Sequence, residues 1–364
     1  MFLTQAGPRS ALGRPDSAWS RRSPLRTAII GCGQWGMNLA RSAVATGAFT
    51  LQAAIDLRAD NAQTAKQALG AAWCSTDLRD VWRDNTIDAV MVATPAATHF
   101  AVASQALRAG KHTLVEKPLA LSAVECAALG LTADHVGRTL MVGHTFMYSP
   151  HVFAVRQVIE GGRIGDIHYM HLQRLAFGRF REDVNVTWNL GPHDVSILNY
   201  WAGVEPVAVR CVERYCTRDT LADFANITID YGRFFGNVHL SCADPRKVRT
   251  GTVAGSLGGV TYDDIAKQVS IVERKEGPSR TTQLAISNVQ PLQEECLHFA
   301  SCVADGAKPR TDSAHAVAVV AVLAAATTSA AHGGEWVPIA HRKSPRESIS
   351  PGAADGRVTE TSEP

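Results

Sequence analysis

The stretch Thr27–Asp56, TAIIGCGQWGMNLARSAVATGAFTLQAAID, decides the fold. A β-type apolar run, Thr27 to Ile30, meets Gly31-Cys32-Gly33-Gln34-Trp35-Gly36. A helical pattern follows, then a second apolar run, Leu51 to Ile55, that ends on Asp56. Each glycine has a physical role in a dinucleotide site. Gly31 makes the tight strand-to-helix turn, Gly33 lets the backbone approach a pyrophosphate, and Gly36 lets helix and strand pack closely. The helix start, at Gln34 and Trp35, offers unpaired N–H groups and a partial positive charge to phosphates. Asp56 lies twenty residues beyond Gly36, where a carboxylate accepts hydrogen bonds from ribose hydroxyls. A carboxylate there repels a ribose 2′-phosphate and favours NAD, while Arg58 keeps NADP open.

Outward from this stretch, apolar runs and helical patterns alternate. Ala59 to Leu69 is helical, Ala71 to Ser75 a short strand, and Leu78 to Arg83 a short helix. Ile87 to Ala93 (IDAVMVA) is a continuous apolar run, as in a parallel strand buried on both faces, and it ends in Thr94-Pro95. His99 to Arg108 reads as helix. His112 to Val115 is the next strand, ending in Glu116-Lys117-Pro118. Leu121 to Leu131 is helical, and Thr139 to Gly143 is a sixth strand. This order predicts a doubly wound parallel sheet with its ligand at the carboxyl ends of the strands, where Gly33, Asp56, Thr94, Lys117 and His144 fall.

The pattern changes after Tyr148. A helix over Pro150–Glu160 precedes an alternating strand, Ile167 to Leu175, and then WNLGPHD at 188–194, with Pro192 suited to a first helical turn. Strand-like runs at 207–212, 222–231, 234–240, 248–255 and 269–272 predict a second, mostly antiparallel sheet whose open face suits a dimer contact. Helices over Glu294–Val303 and Ser313–Ala330 are expected to close that unit. The expected units are residues 26–146 and 147–340, between a disordered leader, 1–25, and a disordered tail, 341–364. The leader is arginine-rich without the apolar core of a secretory signal, and an organelle-targeting peptide or an early start codon fits it as well.

Bulk properties narrow the function. A net charge of +2 gives no basic surface for nucleic acid or an anionic membrane. The longest apolar run, Ala316 to Ala326, is too short to span a bilayer. Eight cysteines without a CxxC pair read as free thiols in a reducing cytoplasm, and Cys211 and Cys216 lack a second pair with which to hold a metal.

At this point the chain resembles the glucose–fructose oxidoreductase/inositol dehydrogenase (Gfo/Idh/MocA) family, from about Leu25 to Ala340. The resemblance is carried by GCGQWG at 31–36, ATPAATH at 93–99, EKP at 116–118, NLGPHD at 189–194 and DGAKPRTD at 305–312. It implies a Rossmann domain followed by an open α+β sheet domain, an NAD(P) cofactor, a homo-oligomer built through the second sheet, and a sugar-like or cyclitol substrate. It further implies that Lys117 and His193 face the nicotinamide and the substrate carbinol, with Thr94, Pro95, His99 and Glu116 around the cofactor. The chemistry suits these residues. Histidine moves a hydroxyl proton, lysine stabilises the developing alkoxide, and the cofactor carries the hydride. Asn189 stands where the family motif has aspartate, so it is expected to position the substrate and not to take a proton. Asp194 is a candidate to orient His193, and Tyr148 and Trp188 to form a sugar-binding wall. The WNLGPHDVSIL form of the motif resembles members of surface-polysaccharide pathways, which favours a nucleotide-sugar 3-dehydrogenase or keto-sugar reductase. A cofactor-binding sensor and a redox-neutral lyase or glycosidase that retains NAD are the alternatives.

Overall fold

A computed structural model describes residues 23–178, 180–274 and 279–339. The expected leader, up to residue 22, and the expected tail lie outside these residues. The first sheet is built from β1 (Leu25–Ile30), β2 (Phe49–Ile55), β3 (Trp73–Ser75), β4 (Ala89–Val92), β5 (His112–Glu116) and β6 (Leu140–Gly143). Its helices are α1 (Gln34–Ala45), α2 (Ala59–Leu69), α3 (Leu78–Arg83), α4 (His99–Arg108) and α5 (Ala123–Val136). All six strands are parallel, in the order β3-β2-β1-β4-β5-β6. The apolar runs read as strands are buried on both faces because helices cover both. Ile29, Val90, Val92, Leu114 and Val115 are all fully buried.

The second unit runs through α6 (Pro150–Glu160), β7 (Ile167–Phe177), α7 (Val186–Ala202), β8 (Ala208–Arg214), β9 (Phe224–Asp230), β10 (Phe235–Ser241), β11 (Ala243–Gly255), β12 (Gly258–Asp263), β13 (Gln268–Glu273) and β14 (Arg280–Gln283). After it come α8 (Pro291–Asp305), α9 (Ser313–Ala331) and β15 (Val337–Pro338). Nine strands form one sheet in the order β14-β13-β12-β11-β7-β10-β9-β8-β15. Neighbours are antiparallel except β7 and β10, which run parallel. The two architectures are those expected from the sequence: a Rossmann sheet, then an open, mostly antiparallel one.

Three details differ from the sequence reading. Helix α7 begins at Val186, where the Asn185 side chain accepts the Trp188 N–H at 3.0 Å, so Pro192 lies inside the helix and not in its first turn. Helix α8 packs on α1 of the first sheet instead of closing the second: Phe299 stacks on Phe49 at 6.5 Å. The apolar run around Ala316–Ala326 belongs to a 19-residue helix, long and apolar enough by composition to cross a membrane. In this fold α9 is a spine packed against α5, α7 and β8.

Trp201 anchors the second core. It is fully buried, donates its indole N–H to the Val152 carbonyl at 3.0 Å and meets Tyr262 edge-on. Gly251 faces it because a β-carbon there would lie 3.0 Å from the indole. Trp201→Ala is expected to destabilise the protein by about 3–5 kcal/mol, read as a lower denaturant midpoint.

Candidate active site

The glycine turn follows from close approach. Gly31 has φ +92°, and a β-carbon on it would lie 2.6 Å from the Ala93 carbonyl at the end of β4. At Gly36 a β-carbon would come within 1.9 Å of the Gly31 carbonyl. Nothing lies within 4 Å of a β-carbon at Gly33, so the exposed side of this turn is open for a pyrophosphate. Asp56 closes the turn from β2. Its carboxylate accepts the N–H of Cys32 at 2.8 Å, the N–H of Arg58 at 2.9 Å and the side-chain amide of Asn61 at 3.2 Å. Gln34 and Trp35 form the exposed first turn of α1. These residues fit a dinucleotide.

On the other half of the sheet, Thr94 and Pro95 follow β4 and lead into a short 3-10 turn, Ala96–Thr98. The Thr98 hydroxyl donates to that of Thr94 at 2.8 Å. His99 was expected at the cofactor, yet it is 1% exposed and both ring nitrogens face carbonyls: Pro118 at 2.7 Å and Thr94 at 2.8 Å. Two carbonyls favour a doubly protonated ring and burial disfavours the charge. Burial prevails and lowers the pKa. His99 therefore staples the loop after β4 to the loop after β5 and has no ring nitrogen left for a ligand.

Lys117 leaves β5 and crosses to the second unit. Its Nζ donates to the main-chain carbonyl of Asn189 in α7 at 2.8 Å. Burial lowers its pKa from 10.5 to about 8; Glu116 pulls it up, while Arg181 and Arg174 push it further down. Asn189 thus meets the lysine through its backbone carbonyl, a contact that its expected role of positioning the substrate with the side chain did not foresee. Pro192 lies three residues on, inside the helix, and leaves the Trp188 carbonyl without its i+4 donor.

His193, one turn on, packs edge-on against Phe146 at 5.1 Å, and its buried Nδ1 has no hydrogen-bond partner. Burial, reinforced by Lys117, Arg174, His144 and Arg249, holds its pKa well below 6.5, so the ring is neutral at physiological pH. Asp194 does not orient it. That carboxylate is committed to Arg174 in a buried bidentate pair, at 2.6 and 3.0 Å, and the Arg174 guanidinium lies 4.3 Å from the Phe146 ring centre. Phe146 thus lies between Arg174, over its ring, and His193, edge-on to it.

The expected aromatic wall is not there. Tyr148 is 4% exposed in the first core, with its hydroxyl 3.1 Å from that of Thr311, because it lies in the 3-10 turn that α8 covers. Trp188 turns toward α9, donating to the Thr327 hydroxyl at 2.9 Å. Glu116 is buried with Oε1 unpartnered. The sequence reading missed Arg174, which was legible as the third inward position of β7 after Met170 and Leu172. It also missed the buried His144–His315 contact at 4.9 Å and the buried Glu295. Two surface hollows, beside Gly203–Pro206 and beside Trp73–Ser75, contain neither Lys117 nor His193. Position at the carboxyl ends of the strands marks the site instead.

Residues 25–144 match the model of the Gfo/Idh/MocA oxidoreductase family, NAD-binding Rossmann fold, and residues 152–261 match the family's C-terminal domain. The chain belongs to the Gfo/Idh/MocA family. It is 34% identical over 190 residues to UDP-N-acetylglucosamine 3-dehydrogenase of Acidithiobacillus ferrooxidans, covering 52% of this chain and 58% of that protein. With the scyllo-inositol 2-dehydrogenase (NAD(+)) of Bacillus subtilis it shares 27% over 332 residues, 85% of this chain and 95% of that one. The crystal structure of GenD2 from gentamicin A biosynthesis, in complex with NAD, superposes with a TM-score of 0.77 at 25% identity, covering 88% of this chain and 97% of that one. The chain spans between 47% and 60% of the length of the first curated relatives it matches. Residues 25–144 are thus an NAD-binding Rossmann unit.

Removing one partner of a buried ion pair leaves the other charge stranded. Asp194→Ala is expected to cost about 3–5 kcal/mol of stability, seen as a lower denaturant midpoint.

Proposed function

We propose that the protein is an NAD-dependent dehydrogenase or reductase of a secondary hydroxyl on a sugar, nucleotide-sugar or cyclitol, working in the cytoplasm. The observation that carries this reading is the meeting of Lys117 and the Asn189–His193 turn at the carboxyl edge of an NAD-binding sheet. In the oxidation direction, neutral His193 accepts the hydroxyl proton through Nε2, since Nδ1 is buried. Lys117 donates to the oxygen as it becomes an alkoxide, exchanging the Asn189 carbonyl for the substrate. NAD supplies the hydride acceptor. The relatives named for UDP-N-acetylglucosamine and scyllo-inositol support the substrate class. The meeting of Lys117 and His193 at the carboxyl edge of the sheet favours turnover over mere sensing, since it brings an alkoxide-stabilising cation and a proton-accepting imidazole to one place.

Absorbance at 340 nm with NAD or NADP and a panel of nucleotide sugars, free sugars and inositols tests this. Turnover is expected with NAD. Lys117→Ala and His193→Ala should each lower kcat by about 10²-fold or more while cofactor affinity stays within about threefold. Near-full activity in either variant removes that residue from the mechanism. Lys117 is charged below about pH 8 and neutral above it, so the wild-type kcat/KM should fall as pH rises through about 8. Lys117→Ala should lack that limb.

The open face of the second sheet is further proposed to bind a second copy. Tyr169 and Phe235 are paired in register and 48% and 45% exposed, and Phe235 touches the exposed Trp336 at 5.9 Å. Light scattering is expected to give a dimer or larger, and Tyr169→Glu with Phe235→Glu a smaller species.

A further inference from the structure

The glycine turn would hold the pyrophosphate at the start of α1, and the β4, β5 and β6 half of the sheet would then hold the nicotinamide. Two carboxyl groups that the proposed chemistry does not use lie beneath this half. Glu116, the last residue of β5, is 6% exposed; one oxygen accepts the Lys117 backbone N–H at 3.2 Å and the other has no partner. Glu295 of α8 is 0% exposed, and neither of its oxygens has a partner. Both face the end of β6. A β-carbon on Gly143 would sit 3.1 Å from the Glu116 carboxyl carbon, and helix α8, which carries Glu295, packs on the 3-10 turn that begins two residues on, at Thr145.

A water-poor pocket does not tolerate two ionised carboxylates. Burial raises the pKa of both groups, and Glu295, which also feels Glu116, lies well above its ordinary value. Such a pair titrates as one unit. The other groups around it are the Lys117 ammonium, the Trp35 indole from α1, Tyr148 and Cys296; burial beside these acids raises the last two. None of these is a second cation able to neutralise the pair.

We propose that Glu116 and Glu295, both buried at the same end of the sheet, give up a proton when the oxidised nicotinamide binds, and that this lets the site distinguish oxidised from reduced cofactor. The oxidised ring is a cation and favours an ionised Glu116. The reduced ring is neutral and is indifferent to it. Binding of NAD+ to the doubly protonated pair therefore expels one proton to solvent, and binding of NADH expels none. The proposal rests on NAD binding alone and not on the identity of the substrate.

NADH affinity is read from its own fluorescence and NAD+ affinity by competition, between about pH 5.5 and 8.5, on the full chain and on Glu295→Gln. In the wild type, NAD+ affinity is expected to rise with pH, by up to about tenfold per unit, while NADH affinity stays nearly flat. Glu295→Gln should flatten the NAD+ curve, because Glu116 then ionises alone and at lower pH. Lys117 is intact in that variant, so an unchanged NAD+ slope would belong to the lysine and overturn the proposal. Equal slopes for the two cofactor forms would overturn it as well. Titration calorimetry of the wild type in two buffers of different ionisation enthalpy covers the case in which Glu295→Gln does not fold. Proton release with NAD+ and none with NADH is expected, and no release with NAD+ across the range refutes the pair.

Discussion

One hydrogen bond, 2.8 Å from the Lys117 ammonium to the Asn189 carbonyl, joins the cofactor sheet to the unit that follows it. A buried ammonium that finds no acceptor is costly, so β5 and α7 must keep their relative position for this group to be satisfied. The acceptor is a backbone carbonyl in the turn before Pro192, where the helix interior is interrupted. Burial at the same junction, with Arg181 and Arg174 nearby, lowers the lysine pKa to about 8. Interdomain geometry and the chemical state of the lysine are therefore one constraint.

Around that bond, polar side chains fix the loops that carry the site. His99 ties the loop after β4 to the one after β5. Arg174 and Asp194 hold β7 against α7, and Phe146 lies between this ion pair and His193. None of these four residues needs to touch a ligand. Networks of this kind specify one arrangement when fully satisfied, and here each removes a freedom that would otherwise misplace Lys117 or His193. Helix α9 supplies the apolar counterpart by packing against α5 of one unit and α7 of the other.

Much of this was legible in sequence because local rules govern it. The glycine turn, the twenty-residue spacing to Asp56 and the continuous apolar strands all report short-range geometry, and α2, α3, α4 and α6 have the bounds that periodicity gives them. β12 escaped notice because Gly258-Gly259 weakens its strand pattern. The start of α7 was misjudged because a proline reads as a first-turn residue, while the actual cap, Asn185, looked like loop. The errors at Tyr148, Trp188, His99 and Asp194 share another cause. Each has the composition of a ligand-facing residue, and what it faces is set by partners far along the chain: Thr311, Thr327, Pro118 and Arg174. Glu295 left a usable trace, an acid at the buried position before Cys296 and four before Phe299 on an otherwise apolar helix face.

Burial acts on every titratable group at the junction in the same sense, toward neutrality. It lowers Lys117 and His193 and raises Glu116 and Glu295. A site left near neutral responds strongly when a ligand brings charge, because little water is present to screen it. An oxidised nicotinamide adds a positive charge, which favours ionised Glu116 and disfavours the protonated forms of His193 and Lys117. A developing alkoxide adds a negative charge, which restores the proton on Lys117 and stabilises a protonated His193. Cofactor and substrate therefore drive the same buried groups in opposite directions.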